Sequence, residues 1–358
     1  MHLFLIFVVG LSLVACAPRG RIEVIPKESA NVVQPVFFAT NRRENGVDFG
    51  PERAGVLRFG RMDVSVPYRH EVGQVELPGA RVNPKTDFAI TGAIPHRTAR
   101  EFRMALNGAL TKLKPGARNV VVYVHGYNAT FAEGLFRLAQ ISHDFDSHSV
   151  PVFFSWPSGG EVRDYLYDRD SVLQSRRALG DLIDNLSATK AERITIVSHS
   201  MGAQLAMETL RSRVLKRGKS WAKLSGFILI QPDIDIDLFR AQAADIGPLP
   251  QPFVIFTSRK DRILGLSRRI AASEQRLGEL DDLAVLQDLR VTVIDTTDAS
   301  SAIGANHFEI ASSPRLIRLL TGLGQGVAEG ALSPRRTSLL PLRLVTEKRA
   351  VGLIVGFD

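Results

Sequence analysis

The pattern of apolar and polar positions changes character near residue 100. Before it, apolar stretches are short and rich in β-formers: residues 36–40 read Val-Phe-Phe-Ala-Thr, and residues 62–67 alternate apolar with polar as a half-buried strand does. Residues 41–51 have turn composition, so this part predicts an antiparallel β edge. From residue 119 onward, short continuous apolar runs at 120–124, 150–154, 193–197, 227–230, 253–256 and 291–294 alternate with longer helical segments. One of these, residues 171–186, carries Val172, Leu179, Leu182, Ile183 and Leu186 at helical spacing after a cap at Asp170 or Ser171. Strand alternating with helix predicts an α/β fold, a mostly parallel sheet covered by helices on both faces. No internal repeat of 20 to 50 residues is visible.

The N-terminus follows a different rule. An apolar run over residues 3–15 is too short for a membrane span, which takes about 20 residues, but has the length of a signal-peptide hydrophobic region. It ends in Leu13-Val14-Ala15-Cys16, which resembles a bacterial lipobox. The implied organisation is a lipoprotein-type signal peptide at 1–15, a linker at 16–34, an α/β domain at 35–323 and a C-terminal extension at 324–358 without assignable structure. Lipidation of Cys16 would tether the protein to a membrane of the cell envelope, facing the periplasm or exterior. The alternative is a soluble secreted or periplasmic protein. Cys16 is the single cysteine of the 358 residues, which excludes a disulfide scaffold and any cysteine-ligated zinc or iron–sulfur centre.

The candidate chemistry centres on Ser198-His199-Ser200-Met201-Gly202, between the strand at 193–197 and a helix predicted over 203–215. A strand-to-helix turn this sharp requires small neighbours and lifts the serine hydroxyl clear of the sheet, which makes Ser200 the candidate nucleophile. An oxyanion hole needs a second backbone donor from a loop after an earlier strand. His125-Gly126-Tyr127-Asn128 fits that place, so the amides of Tyr127 and Met201 are the expected donors. Of the eight histidines, His307 alone follows the nucleophile in sequence and is the expected base. Asp261 and Asp233 compete to orient it. The order Ser200, Asp261, His307 favours Asp261, with Asp233 as the alternative acid. His125, Gly126, Trp156 and His199 are expected at the substrate pocket, and Tyr165 and Tyr167 at a lid.

At these residues the chain resembles an α/β-hydrolase, and specifically the bacterial family DUF900. The resemblance is carried by Val36-Phe37-Phe38-Ala39-Thr40-Asn41-Arg42, Phe59-Gly60-Arg61, Val124-His125-Gly126-Tyr127-Asn128, Phe154-Ser155-Trp156-Pro157-Ser158 and the Ser200 motif, over about residues 36–320. It implies the α/β-hydrolase fold and serine-hydrolase chemistry, and it leaves the substrate undefined.

Other features change the picture less. Residues 142–148 contain metal-ligand types at a spacing that matches no closed site, so no metal is assigned. The glycines of 322–326 follow a helix rather than a strand, which argues against dinucleotide binding. The net charge is +8, with 45 basic and 37 acidic side chains. Arg211, Arg213, Lys216, Arg217, Lys219 and Lys223 form a run without an acid that could rest on anionic lipid. No nucleic-acid reading motif is present. The expected function is a cofactor-free carboxylic ester hydrolase, esterase- or lipase-like, working through a covalent acyl-enzyme. Acyl transfer or amide hydrolysis at the same site, or a non-catalytic envelope adaptor, are the alternatives.

Overall fold

A computed structural model describes residues 19–260, 275–297, 342–347 and 349–355. A hairpin of β1 (Val32–Asn45) and β2 (Asp48–Val66) leads to β3 (Ala89–His96) and α1 (Ala99–Leu110). Strands and helices then alternate: β4 (Asn119–Val124), α2 (Phe131–Asp144), β5 (Val150–Ser155), α3 (Tyr165–Ser187), β6 (Arg193–His199), α4 (Met201–Arg217), β7 (Leu224–Ile230), α5 (Ile236–Ile246), β8 (Phe253–Thr257) and β9 (Thr292–Asp295). A last pair, β10 (Leu342–Glu347) and β11 (Ala350–Val355), closes the chain's sheet. Among the described residues the strands form one sheet of 11, in the order β10-β11-β9-β8-β7-β6-β4-β5-β1-β2-β3.

The pairings from β11 across to β1 are parallel, while β1, β2 and β3 form the antiparallel edge expected from the sequence. Strand residues bury alternately on the two faces. Phe37, Val122, Val124, Phe154 and Ile196 belong to one core, packed against α1, α3, α4 and α5. Phe38, Tyr123 and Phe153 belong to the other, under Phe131, Leu135 and Phe136 of α2. This explains the near-continuous apolar runs: strands covered on both sides have no polar face to show.

The chain runs from β4 to β5 on one side and then returns through α3 to β6 on the other side of β4. Loops after β4 and β6 therefore diverge at a topological switch point, where open α/β sheets leave a crevice.

Four expectations differ. The turn region at 41–51 is mostly strand, with the reversal confined to Gly46, at φ +65°, and Val47. Polar residues there read as loop because their partners come from elsewhere: Asn41 Nδ2 donates to Gln174 Oε1 (3.1 Å) and Ser175 Oγ (2.9 Å). The linker expected at 16–34 is, from Arg19 onward, packed on the domain, with Ile22 and Ile25 buried and Val24 bridged to Ile90. Helix α3 begins at Tyr165 rather than near Ser171; the inward positions of its first turns include the polar Asp168 and Ser171, which interrupt the apolar period there. The tail left unassigned supplies β10 and β11, with β11 parallel to β9.

Candidate active site

Ser200 follows β6 at φ +51°, ψ −124° and caps α4. A non-glycine residue in this region costs about 1–3 kcal/mol and persists only where surrounding structure imposes it. Two glycines show what imposes it. A Cβ on Gly202 would lie 2.2 Å from the His125 carbonyl oxygen and 2.8 Å from that of Val124, so α4 can approach β4 only without a side chain there. A Cβ on Gly126 would lie 2.6 Å from His199 Nδ1 and 2.9 Å from Ser200 Cβ. The elbow and the loop after β4 are thus pressed together, bringing the Tyr127 peptide beside the start of α4. As the first residue of that helix, Met201 has an amide with no intrahelical acceptor.

The loop after β4 is held by a buried polar network. Arg42, on β1, is almost wholly buried and donates from Nε to Ser155 Oγ (2.9 Å), from Nη1 to the Gly50 and Ser158 carbonyls (3.2 and 3.0 Å), and from Nη2 to the Ala129 carbonyl (2.7 Å). Burial lowers its pKa to about 10, a shift that the nearby Asp168 carboxylate opposes. Asp168, in the first turns of α3, accepts from Ser158 Oγ (2.6 Å) and from the Gly159 and Asn128 amides (2.6 and 3.2 Å). Burial raises its pKa despite those bonds. Together they hold the Asn128 amide and the Ala129 carbonyl, on the two sides of the turn residue Asn128 at φ +56°.

His125 belongs to this network rather than to proton transfer. Its imidazole is buried, and burial, followed by the charge of Arg42, pushes its pKa down to about 3. A neutral ring carries one N–H. It donates from Nδ1 to the Gly126 carbonyl (2.8 Å) or from Nε2 to the Trp156 carbonyl (3.0 Å), and Ser155 Oγ (3.4 Å) and Arg42 Nη2 (3.5 Å) stand beside Nε2. Trp156, expected at the substrate pocket, is instead sealed: it is fully buried, stacks on His125 with centroids 4.8 Å apart, and donates Nε1–H to the His125 carbonyl.

A cavity of about 310 Å³ opens beside the loop, lined by His125, Gly126, Tyr127, Asn128, His199 and neighbours from α2 and the 67–88 connection. That connection contributes Val75 and Leu77 and is pinned by His70, whose Nδ1 meets Glu76 Oε2 (3.0 Å) and Nε2 meets Asp144 Oδ1 (2.8 Å). Burial works against charge on this imidazole, but the two carboxylates prevail and raise its pKa to about 9. Asp144, one of the metal-type residues of 142–148, is therefore engaged as an ion-pair partner.

On the other side of the elbow, the Ser200 amide donates to the Ile230 carbonyl (3.0 Å) and the Asp233 amide to the Ser200 carbonyl (3.2 Å). The buried Asp233 carboxylate accepts from Tyr165 OH at Oδ2 (3.2 Å) and pairs with Arg276 Nε at Oδ1 (3.3 Å). Tyr165 and Tyr167 form the first turn of α3; Tyr167 OH donates to the Pro51 carbonyl and its ring lies under Arg53, so both belong to the body. Asp261, His307, Cys16 and the glycines of 322–326 lie outside the described residues. Arg42, Asp168 and Arg276 escaped the sequence reading: a charged residue in a strand or helix gives no signal of burial, and Arg42 stood out only as the end of a family motif.

The sheet order, with a strained serine between a central strand and its helix at the switch point, places the chain among the α/β-hydrolases. The model of the family described as "Alpha/beta hydrolase of unknown function (DUF900)" matches residues 99–323, more than half of the 358-residue chain, and the chain belongs to that family. An uncharacterized protein of Nostoc sp. is 29% identical over 195 residues, covering 50% of this chain and 51% of its own, so the chain spans about half the length of the curated relative it matches. Solved structures with similarity include an esterase from Pyrobaculum calidifontis (11% identity, 85% of this chain and 87% of that one, TM-score 0.36). A CIB-like hydrolase from Thermoplasma acidophilum shows 14% identity over 60% of this chain and 89% of its own, with a TM-score of 0.33.

Proposed function

We propose that this α/β-hydrolase is a serine hydrolase of carboxylic esters, with Ser200 as nucleophile, His307 as base and Asp261 as the acid that orients it. The observation that carries the reading is the backbone of Ser200, held at φ +51° where Gly202 and Gly126 clamp the elbow against the loop after β4. A hydroxyl held in a strained turn between a strand and a helix, beside the loop that offers a second backbone amide, is the arrangement that acyl transfer uses. His307 takes the Ser200 proton as Oγ attacks the ester carbonyl, and the Tyr127 and Met201 amides receive the oxyanion. Collapse expels the alcohol, which takes that proton from His307, and water activated by the same histidine then hydrolyses the acyl-enzyme. The chemistry runs without a cofactor. Asp261 is preferred over Asp233 for its place in the chain order Ser200, Asp261, His307, while Asp233 binds Tyr165 and Arg276. The lipobox-like Leu13-Val14-Ala15-Cys16 supports an envelope lipoprotein anchored through Cys16.

Fluorophosphonate labelling and turnover of nitrophenyl esters test the reading. Ser200→Ala is expected to abolish labelling and to cost on the order of 10⁴-fold or more in kcat, with the thermal midpoint nearly unchanged. Labelling that survives the substitution places the nucleophile elsewhere. Incorporation of a fatty-acid analogue into wild type but not Cys16→Ser is the expected outcome for the anchor.

A further inference from the structure

Resting on the proposed hydrolase and its anchor, we infer that the rim of the cavity beside the Tyr127 loop is a membrane-docking surface, and that the substrate is an ester resident in the bilayer. The starting point is Arg19, three residues after Cys16 in sequence. Arg19 Nη1 donates to Asn128 Oδ1 (3.0 Å) and Nη2 to the Asn128 carbonyl (3.0 Å) and Glu133 Oε2 (2.9 Å). The Gly20 amide donates to Glu133 Oε1 (2.9 Å), and Thr130 Oγ1 donates to the Gly20 carbonyl (3.0 Å). A Cβ on Gly20 would meet Glu133 Cγ at 2.6 Å and Leu77 Cδ2 at 3.2 Å. Asn128, Glu133 and Leu77 all line the cavity. Three residues at no more than about 3.6 Å each separate Cys16 from Arg19, so an acylated Cys16 holds this rim within about 11 Å of its own backbone.

The adjoining surface has the character a bilayer interface needs. Val162 and Leu166 are 58% and 66% exposed, on the short turn and first α3 residues that follow Gly160. They adjoin Tyr127, which lines the cavity: Tyr127 OH donates to the Val162 carbonyl, and the Tyr127 and Tyr165 rings pack edge to face at 5.4 Å. Arg19 Nη2 lies 3.7 Å from where a Gly160 side chain would begin, which joins the anchor side of the rim to the apolar side. Arg163, between Val162 and Leu166, is 80% exposed at its side chain and pairs with the exposed Glu161 (2.8 Å), an ion pair open to solvent that a headgroup can replace while Val162 and Leu166 enter the apolar layer.

The basic run at 211–223 is the rival docking face, and it points away. Helix α4 starts at the elbow and runs 17 residues, so Lys216 and Arg217 lie about 24 Å from Ser200, at the opposite edge of the sheet and well beyond a Debye length of about 8–10 Å. Three of its six cations are engaged: Arg211 with Asp245 (2.6 Å), Arg213 with Asp184 (3.1 Å) and Lys223 with the Thr189 carbonyl (2.7 Å).

The test uses the full chain carrying Cys16→Ser, so that binding reads the rim without its anchor. Flotation with vesicles of phosphatidylethanolamine and phosphatidylglycerol in equal parts needs no catalysis, and thus separates this inference from failure of the hydrolase reading. The V162D/L166D pair is expected to weaken vesicle binding at least about tenfold, given the apolar area it withdraws. Turnover of a fluorescent phospholipid ester in the vesicles should fall in parallel, while kcat/KM for a soluble short-chain ester stays within twofold. The K216E/R217E pair should change binding less than twofold. Loss of binding in the latter pair with none in the former transfers the docking face to the end of α4. Vesicle binding that is undetectable before substitution, or unaffected by either pair, overturns the inference.

Discussion

On the β4 side of Ser200, the turn at residues 126–129 is held by side chains whose hydrogen-bonding capacity is filled from within the protein: Arg42 by four acceptors and Asp168 by three donors. On the β7 side, the turn at 231–233 has a buried Gln231 at φ +43° whose Oε1 and Nε2 find no partner among the described residues. Thr257 Oγ1, at the end of the neighbouring β8, is likewise without one. The first loop is built as a rigid support for a backbone donor. The second combines backbone strain with an unpaired buried amide, the combination that folding alone disfavours and a working site tolerates.

The sharpest division between the sides is the acid. Asp261→Asn is expected to lower kcat by about 10³–10⁴-fold with KM little changed, since an amide cannot hold the base in its working tautomer. Asp233→Asn should cost tenfold or less, because its carboxylate serves Tyr165 and Arg276, and an amide oxygen can still accept from Tyr165. Steady-state kinetics on one soluble ester decides the matter. A large loss at Asp233 with near-normal Asp261→Asn makes the β7 turn part of the catalytic machinery and reverses the assignment.

What the sequence disclosed follows the same division. Strands buried on both faces leave long apolar runs, so β4 to β9 and the Ser200 elbow were legible, and so was the loop His125-Gly126-Tyr127 as its counterpart. The Arg42 and Asp168 network was not, because burial of a charge depends on long-range partners: Arg42 meets Ser155, Ser158 and Ala129 only after three segments have converged. Trp156 misled for the same reason. An aromatic at a strand end on the ligand edge reads as a pocket wall, and only the stacked His125 shows that it faces inward. The segment at 19–31 has too few apolar residues for a period; buried Ile22 and Ile25, the bridge from Val24 to Ile90 and the bonds of Arg19 and Gly20 to Glu133 dock it.

The β4 side should fail through stability before chemistry. Arg42→Met removes the donor to four buried acceptors and is expected to lower unfolding free energy by about 3–5 kcal/mol, read by urea denaturation. Arg42→Lys should recover little, since one ammonium cannot reproduce a planar fork reaching Ser155, Ser158 and Ala129 together. Near-wild-type stability of Arg42→Met would mean that the network is ornamental to folding and that the contrast between the two loops is false.

The smallest effect tests the β7 side in the opposite direction. Gln231→Leu puts a shorter apolar side chain in place of two buried polar atoms that find no partner among the described residues, so it is expected to raise unfolding free energy by about 1 kcal/mol. Because the Gln231 amide donates to the Phe256 carbonyl (2.9 Å), the turn itself stays tied to β8 in the variant, and a change in activity reports the side chain alone. Ester turnover should fall by roughly tenfold, the loss of one polar contact to substrate or water in a buried site. A gain in stability bought with a loss in rate is the signature of a residue retained for function rather than folding. If Gln231→Leu destabilises as Arg42→Met does, its amide has partners within the fold, and the two sides of Ser200 are built on one plan.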